Sequence, residues 1–438
     1  RYVAIAIGVA GLLIAAVLCA RGYGVDYAAF GGAFMLGGFA VVFEEIVIFA
    51  ALGSLILYGA IGREERVAGA VALMLWSACG AMLMAGASNL MTIFLGLELL
   101  SLALYCLCGL ADRPTSRESA LKYLILSSMA SGFLLFGMAL LFGASGSVAL
   151  SALVNPALVA NPLFWMGSGF FLVGISFKLS LVPFHAWSPD VYEGAPLPVT
   201  AFMSVATKAG TLAVLGRFIY AALPSGASGK LLLPIWIIAA LSMIAGNVGM
   251  LAQHDLKRLL AYSGIAQVGY ILTAFAGGTA LGMRYAVYYL AAYAFMNLGA
   301  FAIAATLSGD AEEGSRLSNY RGLARRRPIA AALMTFFLFA LAGLPPTAGF
   351  LGKILILASS VGAGFAWLAF VLIAGTAISL YAYAKIVRTM YSGEENVHAS
   401  DIHPFVPLAW ISAAACFVAI LAMTLYPLTP SNILPLVR

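Results

Sequence analysis

Charge is what this sequence has least of. Of its 438 residues only 9% are Asp, Glu, Lys or Arg, with 4 histidines and 5 cysteines. Cys19, Cys79, Cys106, Cys108 and Cys416 all fall in apolar segments with no chelating partner nearby. Cys106 and Cys108 stand two apart on a helix and so point to different faces. This pattern argues against a metal centre and against thiol redox chemistry in this chain. No glycine-rich phosphate loop, nucleophile triad or metal cluster stands out, so no cofactor is expected here. The net charge is +6, but the basic residues are spread over short loops without a concentrated patch, which excludes a nucleic-acid partner.

Apolar residues, at 63%, take the place of charge. A helix that crosses a bilayer needs about 20 of them in succession. Thirteen segments qualify, from Tyr2–Ala20 to Phe405–Tyr426, so the sequence predicts an all-α polytopic membrane protein. Arg1 runs straight into the first of them with no charged leader or small-residue cleavage site, which does not read as a signal peptide. Glu44 and Glu45 lie near the start of the second span, where interfacial solvation makes them inexpensive. Between these spans Asp26 and FGGAFMLGG suggest an amphipathic stretch, and the uncharged connection Gly143–Pro162 suggests a loop on the membrane surface.

Loop charges set the orientation. Loops after even-numbered spans hold thirteen Lys and Arg residues, with Arg1 on their side, against five on the other: Arg21, Arg217, Lys230, Arg284 and Arg438. The positive-inside rule puts the even loops in the cytoplasm and the C-terminus outside.

The charges inside the spans point to function. Between Gly174 and Gly210 runs GISFKLSLVPFHAWSPDVYEGAPLPVTAFMSVATKAG. It places Lys178 in the sixth span, breaks that helix at Pro183 and His185, and centres Lys208 in the seventh. Lys353 repeats the arrangement beside LAGLPPTAGFLGK, where Pro345 and Pro346 break the eleventh span. Glu98 sits at the midpoint of the fourth. A charge at the bilayer centre costs from about 2.5 to more than 10 kcal/mol, so such residues are functional candidates. A proline removes a backbone hydrogen bond, and open backbone at membrane depth must be covered by protein or water. The first break therefore predicts an internal wet cavity.

Five helices separate the two broken spans, an odd number, so they cross the membrane in opposite directions. That is the mark of an inverted repeat. The sequence thus divides into N-terminal helices (1–66), a five-helix unit (67–222) broken near 183, a second (231–391) broken near 345, and a C-terminal helix (392–438). Lys178 and Lys353 both fall slightly to the outer side of their breaks.

Glu98, Lys178, Lys208 and Lys353 read together as a proton path. A lysine in water titrates near 10.4, and a relay group must titrate near 7, a difference worth about 4.6 kcal/mol that burial can supply. A carboxylate at 4 Å opposes this with about 4 kcal/mol at an effective dielectric near 20. Moving Glu98 toward or away from Lys178 would then switch the amine between holding and releasing its proton. Each residue also has a plainer role: a static Glu98–Lys178 pair, or Lys353 capping the carbonyls of its break. Lys122 is either an end charge that snorkels or a relay, and His185 either passes protons or bonds the opened backbone. His254, His398 and His403 read as surface residues, and Tyr289 and Tyr293 as packing.

FKLSLVPFHAWSPDVYEGAPLPVTAFMSVATKAG, HDLKRLLAYSGIAQVGY and LAGLPPTAGFLGK resemble the antiporter-like membrane subunits of proton-pumping NADH:quinone oxidoreductase, respiratory complex I. HAWSPDVYEGAP and a lysine at position 353 resemble the subunit N branch. The similarity covers nearly the whole chain. It implies fourteen helices containing two inverted five-helix repeats, the first of the fourteen missing from the thirteen counted. It implies that Glu98 pairs with the broken-helix lysine Lys178, that Lys208 is the central relay, and that Lys353 exchanges protons with the outer side. FMN, iron-sulfur clusters and quinone would then lie in partner subunits, as would NADH oxidation. Neighbouring antiporter-like and small membrane subunits would be the partners, with lipid around them, in a bacterial inner membrane. A cation/proton antiporter subunit on the same scaffold is the alternative.

Overall fold

The computed structural model describes residues 2–61, 66–224, 226–308, 315–393 and 407–425. Among these the chain forms sixteen helices and one small hairpin. Arg1, His398, His403 and Arg438, considered above, lie outside the described residues.

Ten helices are long and apolar enough to cross a membrane: α1 (Tyr2–Arg21), α2 (Gly38–Ile61), α3 (Val67–Gly86), α4 (Leu90–Cys108), α5 (Pro114–Ser145), α8 (Leu197–Ala221), α9 (Ser228–Leu251), α11 (Ala280–Ser308), α15 (Ala366–Tyr391) and α16 (Pro407–Leu425). Helix α10 (Leu256–Ala274) and two broken pairs occupy the other predicted segments. The pairs are α6 (Pro162–Lys178) with the short α7 (Trp187–Gly194), and α13 (Pro328–Ala342) with α14 (Ala348–Gly362). A four-residue turn, α12 (Leu323–Arg326), precedes α13. Helices suit this chain because each satisfies its own backbone within the segment, which hydrocarbon demands. Their ends are marked in the sequence: the side chains of Asn89, Asn161, Asp255 and Thr347 accept backbone N–H groups of α4, α6, α10 and α14.

Large apolar side chains such as Ile14 on α1, Phe136 on α5 and Phe370 on α15 face outward, 61%, 52% and 72% exposed, as lipid contact requires. The interior is built around α8, whose residues from Leu197 to Gly216 are all buried. Helices α2, α3, α4, α10 and α11 pack around it. Close approach depends on small residues. A Cβ at Gly80 would lie 2.4 Å from the Leu100 nitrogen, so only glycine lets α3 meet α4 there.

Two expectations change. The stretch after α1 is a hairpin, β1 (Tyr27–Ala29) antiparallel to β2 (Phe34–Leu36), with Phe34 packed against Gly86. The connection after α5 is exposed along much of its length, but its two 3-10 turns anchor it, the first burying Leu150 and Leu153 and the second Leu158.

Both predicted breaks are present, and protein groups satisfy part of the opened backbone. At the first, the Val182 N–H donates to Ser242 Oγ of α9 at 3.0 Å. The Trp187 indole donates to the Phe177 carbonyl at 2.9 Å. At the second, Gly343 ends α13 at φ 82°, and Leu344 N–H bonds back to the Phe339 carbonyl. Glycine is needed twice over, since a Cβ there would meet Lys353 Cδ at 2.8 Å.

Candidate functional site

The three intramembrane lysines are buried: Lys178 and Lys208 are each 2% exposed and Lys353 is 5% exposed. Lys178, the last residue of α6, donates to Ser101 Oγ of α4 and to the Tyr123 hydroxyl of α5, both at 2.7 Å. Glu98 lies on α4 just before Ser101, but no ion pair joins it to Lys178 within 4.0 Å among the described residues; its carboxylate accepts from Ser131 of α5. The static Glu98–Lys178 pair, the plainer of the two roles considered above, is therefore absent among the described residues. The gap beside Lys178, lined by Ser127, Ser131 and Gly174, is too tight for a water molecule.

Helix α7 links this cluster to the next. Its Trp187 stacks on Tyr123 at 4.8 Å, and its Tyr192 ring lies 5.8 Å from Lys208 Nζ. Lys208 in turn donates to the Tyr293 hydroxyl of α11 at 3.2 Å. Gly264 of α10 leaves the space for this amine, since a Cβ there would stand 2.6 Å from Nζ.

Beyond Lys208 the row continues through groups that the sequence did not single out. Ser263 of α10 and Tyr383 of α15 share a hydrogen bond of 2.6 Å. One turn on, Gln267 accepts from the Tyr289 hydroxyl and donates to the Leu341 carbonyl at 3.0 Å. Lys353 donates to Leu341 and Ala342 carbonyls at 3.2 and 2.8 Å and lies 4.5 Å over the Tyr270 ring. Tyr270 bonds Asn247 of α9 at 2.8 Å. Tyr289 and Tyr293, read from the sequence as packing, are hydrogen-bonding members of this row. Lys353 does cap the end of α13, where free carbonyls and the helix dipole favour a cation.

On the face rich in basic loops, a cavity of about 860 Å³ opens over α7. Asp190 is its centre, held by Lys122 at 3.2 Å and by Arg258 at 2.6 Å. Lys122 also pairs with Glu118 at 2.7 Å, and Arg258 with Glu193 at 2.8 Å. Lys122 is thus tied into an ion-pair network rather than snorkelling alone, and His254 lines the same cavity. Asp255, at the rim, is lifted above the usual carboxylate range by burial, against the pull of Ser315 and the Arg258 backbone N–H. His185 sits half-buried in the first break. Glu44 departs from the interfacial setting expected for it: with α1, β2 and α8 packed around it, it is only 2% exposed.

Several similarities identify the scaffold. Residues 87–379 match the family described as NADH:quinone oxidoreductase/Mrp antiporter, TM. The chain is 40% identical over 418 residues to NADH-quinone oxidoreductase subunit N of Trichlorobacter lovleyi, covering 93% of this chain and 85% of that protein. It is 43% identical over 373 residues to subunit N 1 of Symbiobacterium thermophilum, covering 83% and 76%. Its fold matches a chain of respiratory complex I from Thermus thermophilus with a TM-score of 0.84 at 33% identity, covering 97% of this chain and 92% of that one. With buried lysines on two broken helices and these relatives, the chain belongs to the NADH:quinone oxidoreductase/Mrp antiporter family, on the branch of NADH-quinone oxidoreductase subunit N.

Proposed function

We propose that this chain is a proton-translocating membrane-arm subunit of NADH:quinone oxidoreductase, and that Glu98, Lys178, Lys208 and Lys353 carry the proton. The observation that supports it best is the row of buried amines, each held by hydroxyls or backbone carbonyls rather than by a carboxylate. An ammonium held this way keeps its hydrogen bonds while staying free to lose a proton, because no ion pair fixes its charge. The hydroxyl and amide groups between the amines can donate and accept, as a relay requires.

Protons reach the row from the cavity over α7, on the face that the loop charges assign to the cytoplasm. Asp190 and its partners sit at that mouth, and α7 carries Trp187, which stacks on the Tyr123 ring that holds Lys178, and Tyr192, which faces Lys208. Lys353 hands protons toward the opposite face. The two breaks, on helices of opposite direction, support two inverted five-helix units at 67–222 and 231–391, flanked by the N-terminal helices and a C-terminal helix. In this account NADH oxidation, FMN, iron-sulfur clusters and quinone belong to partner subunits, and the assembly resides in a bacterial inner membrane with the C-terminus on the outer side.

The test is Lys208→Ala in the assembled complex. Proton pumping is expected to be abolished or greatly reduced with assembly intact. Normal pumping at normal redox turnover would leave the chain a passive scaffold.

A further inference from the structure

The buried acid Glu44 has no place in the row described above. It lies in the second turn of α2, and its Oε2 accepts no hydrogen bond among the described residues. Helix α1 packs along α2, and the neighbouring Glu45 also has a bare Oε1. Arg217 near the end of α8 forms no ion pair with Glu44 among the described residues. Its guanidinium donates instead to the Ala85 and Met35 carbonyls at 3.0 and 3.3 Å and lies 5.1 Å from the Phe39 ring.

A carboxylate retained for packing would be closed by a partner, because an unpaired buried charge is strongly unfavourable. Glu44 has an unused buried oxygen, and the Arg217 guanidinium lies over Phe39 of the same helix. That is the setting of an acid that alternates between protonated and ionised forms. Arg217 lies nine residues beyond Lys208 on the same helix, about 14 Å along its axis, with the Thr211 hydroxyl one turn into that interval. Helix α2 runs along α8 and brings Glu44 to this end.

We propose that Glu44 is a proton-release group on the sparsely charged face, taking protons that leave the row by way of α8. This rests on Lys208 acting as a relay. The groups bearing on Glu44 come from every element around it. Helix α1 brings Cys19, α2 brings Glu45 and α8 brings Arg217. Arg284 lies at the same end of α11, where Met283 meets Gly216, and Asp26 of the hairpin touches Gly37 just before α2. Helices α3 and α16 bring no Asp, Glu, Lys or Arg.

The experiment uses the whole complex in sealed, oriented vesicles, measuring protons moved per electron while the pH of the compartment facing Glu44 is varied. Glu44→Gln is expected to lower that ratio at least twofold and to abolish its response to pH on that side. Glu44→Asp should still pump, with a displaced response. A wild-type ratio and response in Glu44→Gln would overturn the proposal. If Glu44→Gln does not assemble, Glu44→Asp decides: pumping with an altered response supports release through the carboxyl, while failed assembly or an unchanged response overturns it. Normal pumping by Lys208→Ala would remove the relay beneath it; defective Lys208→Ala beside normal Glu44→Gln would remove this proposal alone.

Discussion

Gln267 and Lys353 donate to one and the same acceptor, the Leu341 carbonyl, at 3.0 and 3.2 Å. The amide thus lies between the last amine and the Tyr289 hydroxyl. Replacing it with the similarly sized leucine leaves the Tyr289 hydroxyl without its acceptor, at a stability loss of about 1–3 kcal/mol. For Gln267→Leu we expect an assembled complex with a few degrees' lower thermal midpoint and several-fold slower pumping. Parallel measurement of NADH oxidation and proton uptake checks it.

Glu98→Gln removes a charge but retains an acceptor for Ser131. Because Lys178 is held by Ser101 and Tyr123, the variant should assemble normally and lose pumping through electrostatics alone. Wild-type coupling in this variant would dismiss the switch between Glu98 and Lys178.

Asp190→Asn separates Lys122 from Arg258 at the cavity mouth. These groups are 43%, 34% and 31% exposed at Lys122, Asp190 and Arg258, and pairs at such exposure contribute only about 0–1 kcal/mol each. Stability should therefore change little. Pumping should fall several-fold through the displaced α7, with a weakened dependence on ionic strength, which titration with salt would measure.

Gly264→Ala leaves every charge in place and moves one. The new methyl would stand 2.6 Å from Lys208 Nζ and 3.2 Å from the Tyr293 hydroxyl. A flexible amine can yield, so folding should survive while the Lys208–Tyr293 hydrogen bond is lost. Pumping reduced to near the level of Lys208→Ala, at wild-type abundance of the complex, is the expected result.

The amines were legible because a lysine within an apolar run is conspicuous in one dimension, and the broken helices because Pro183, Pro345 and Pro346 forbid regular hydrogen bonding. Glu44 was not. Position near a helix start suggested solvent, and only the packing of α1, β2 and α8 around it removes that solvent. Gln267 gave a fainter sign: Ser263, Gln267 and Tyr270 fall on one face of α10 at helical spacing. Neutral polar groups in a span are common enough that spacing alone does not separate them from packing. The cavity at Asp190 joins residues from α5, α7 and α10 with the segment at Arg316, a meeting that no local pattern announces.

The crowding beside Lys178 bears on which ion this scaffold can carry. Where not even one solvent molecule fits, a sodium ion would have to shed its entire coordination shell and find replacement oxygens among groups already engaged with one another. Hydrogen nuclei face no such toll, because they hop from heteroatom to heteroatom and occupy no volume of their own. On the proton path proposed above, tight side-chain interlocking would itself disfavour alkali metals at this point, without a dedicated filter.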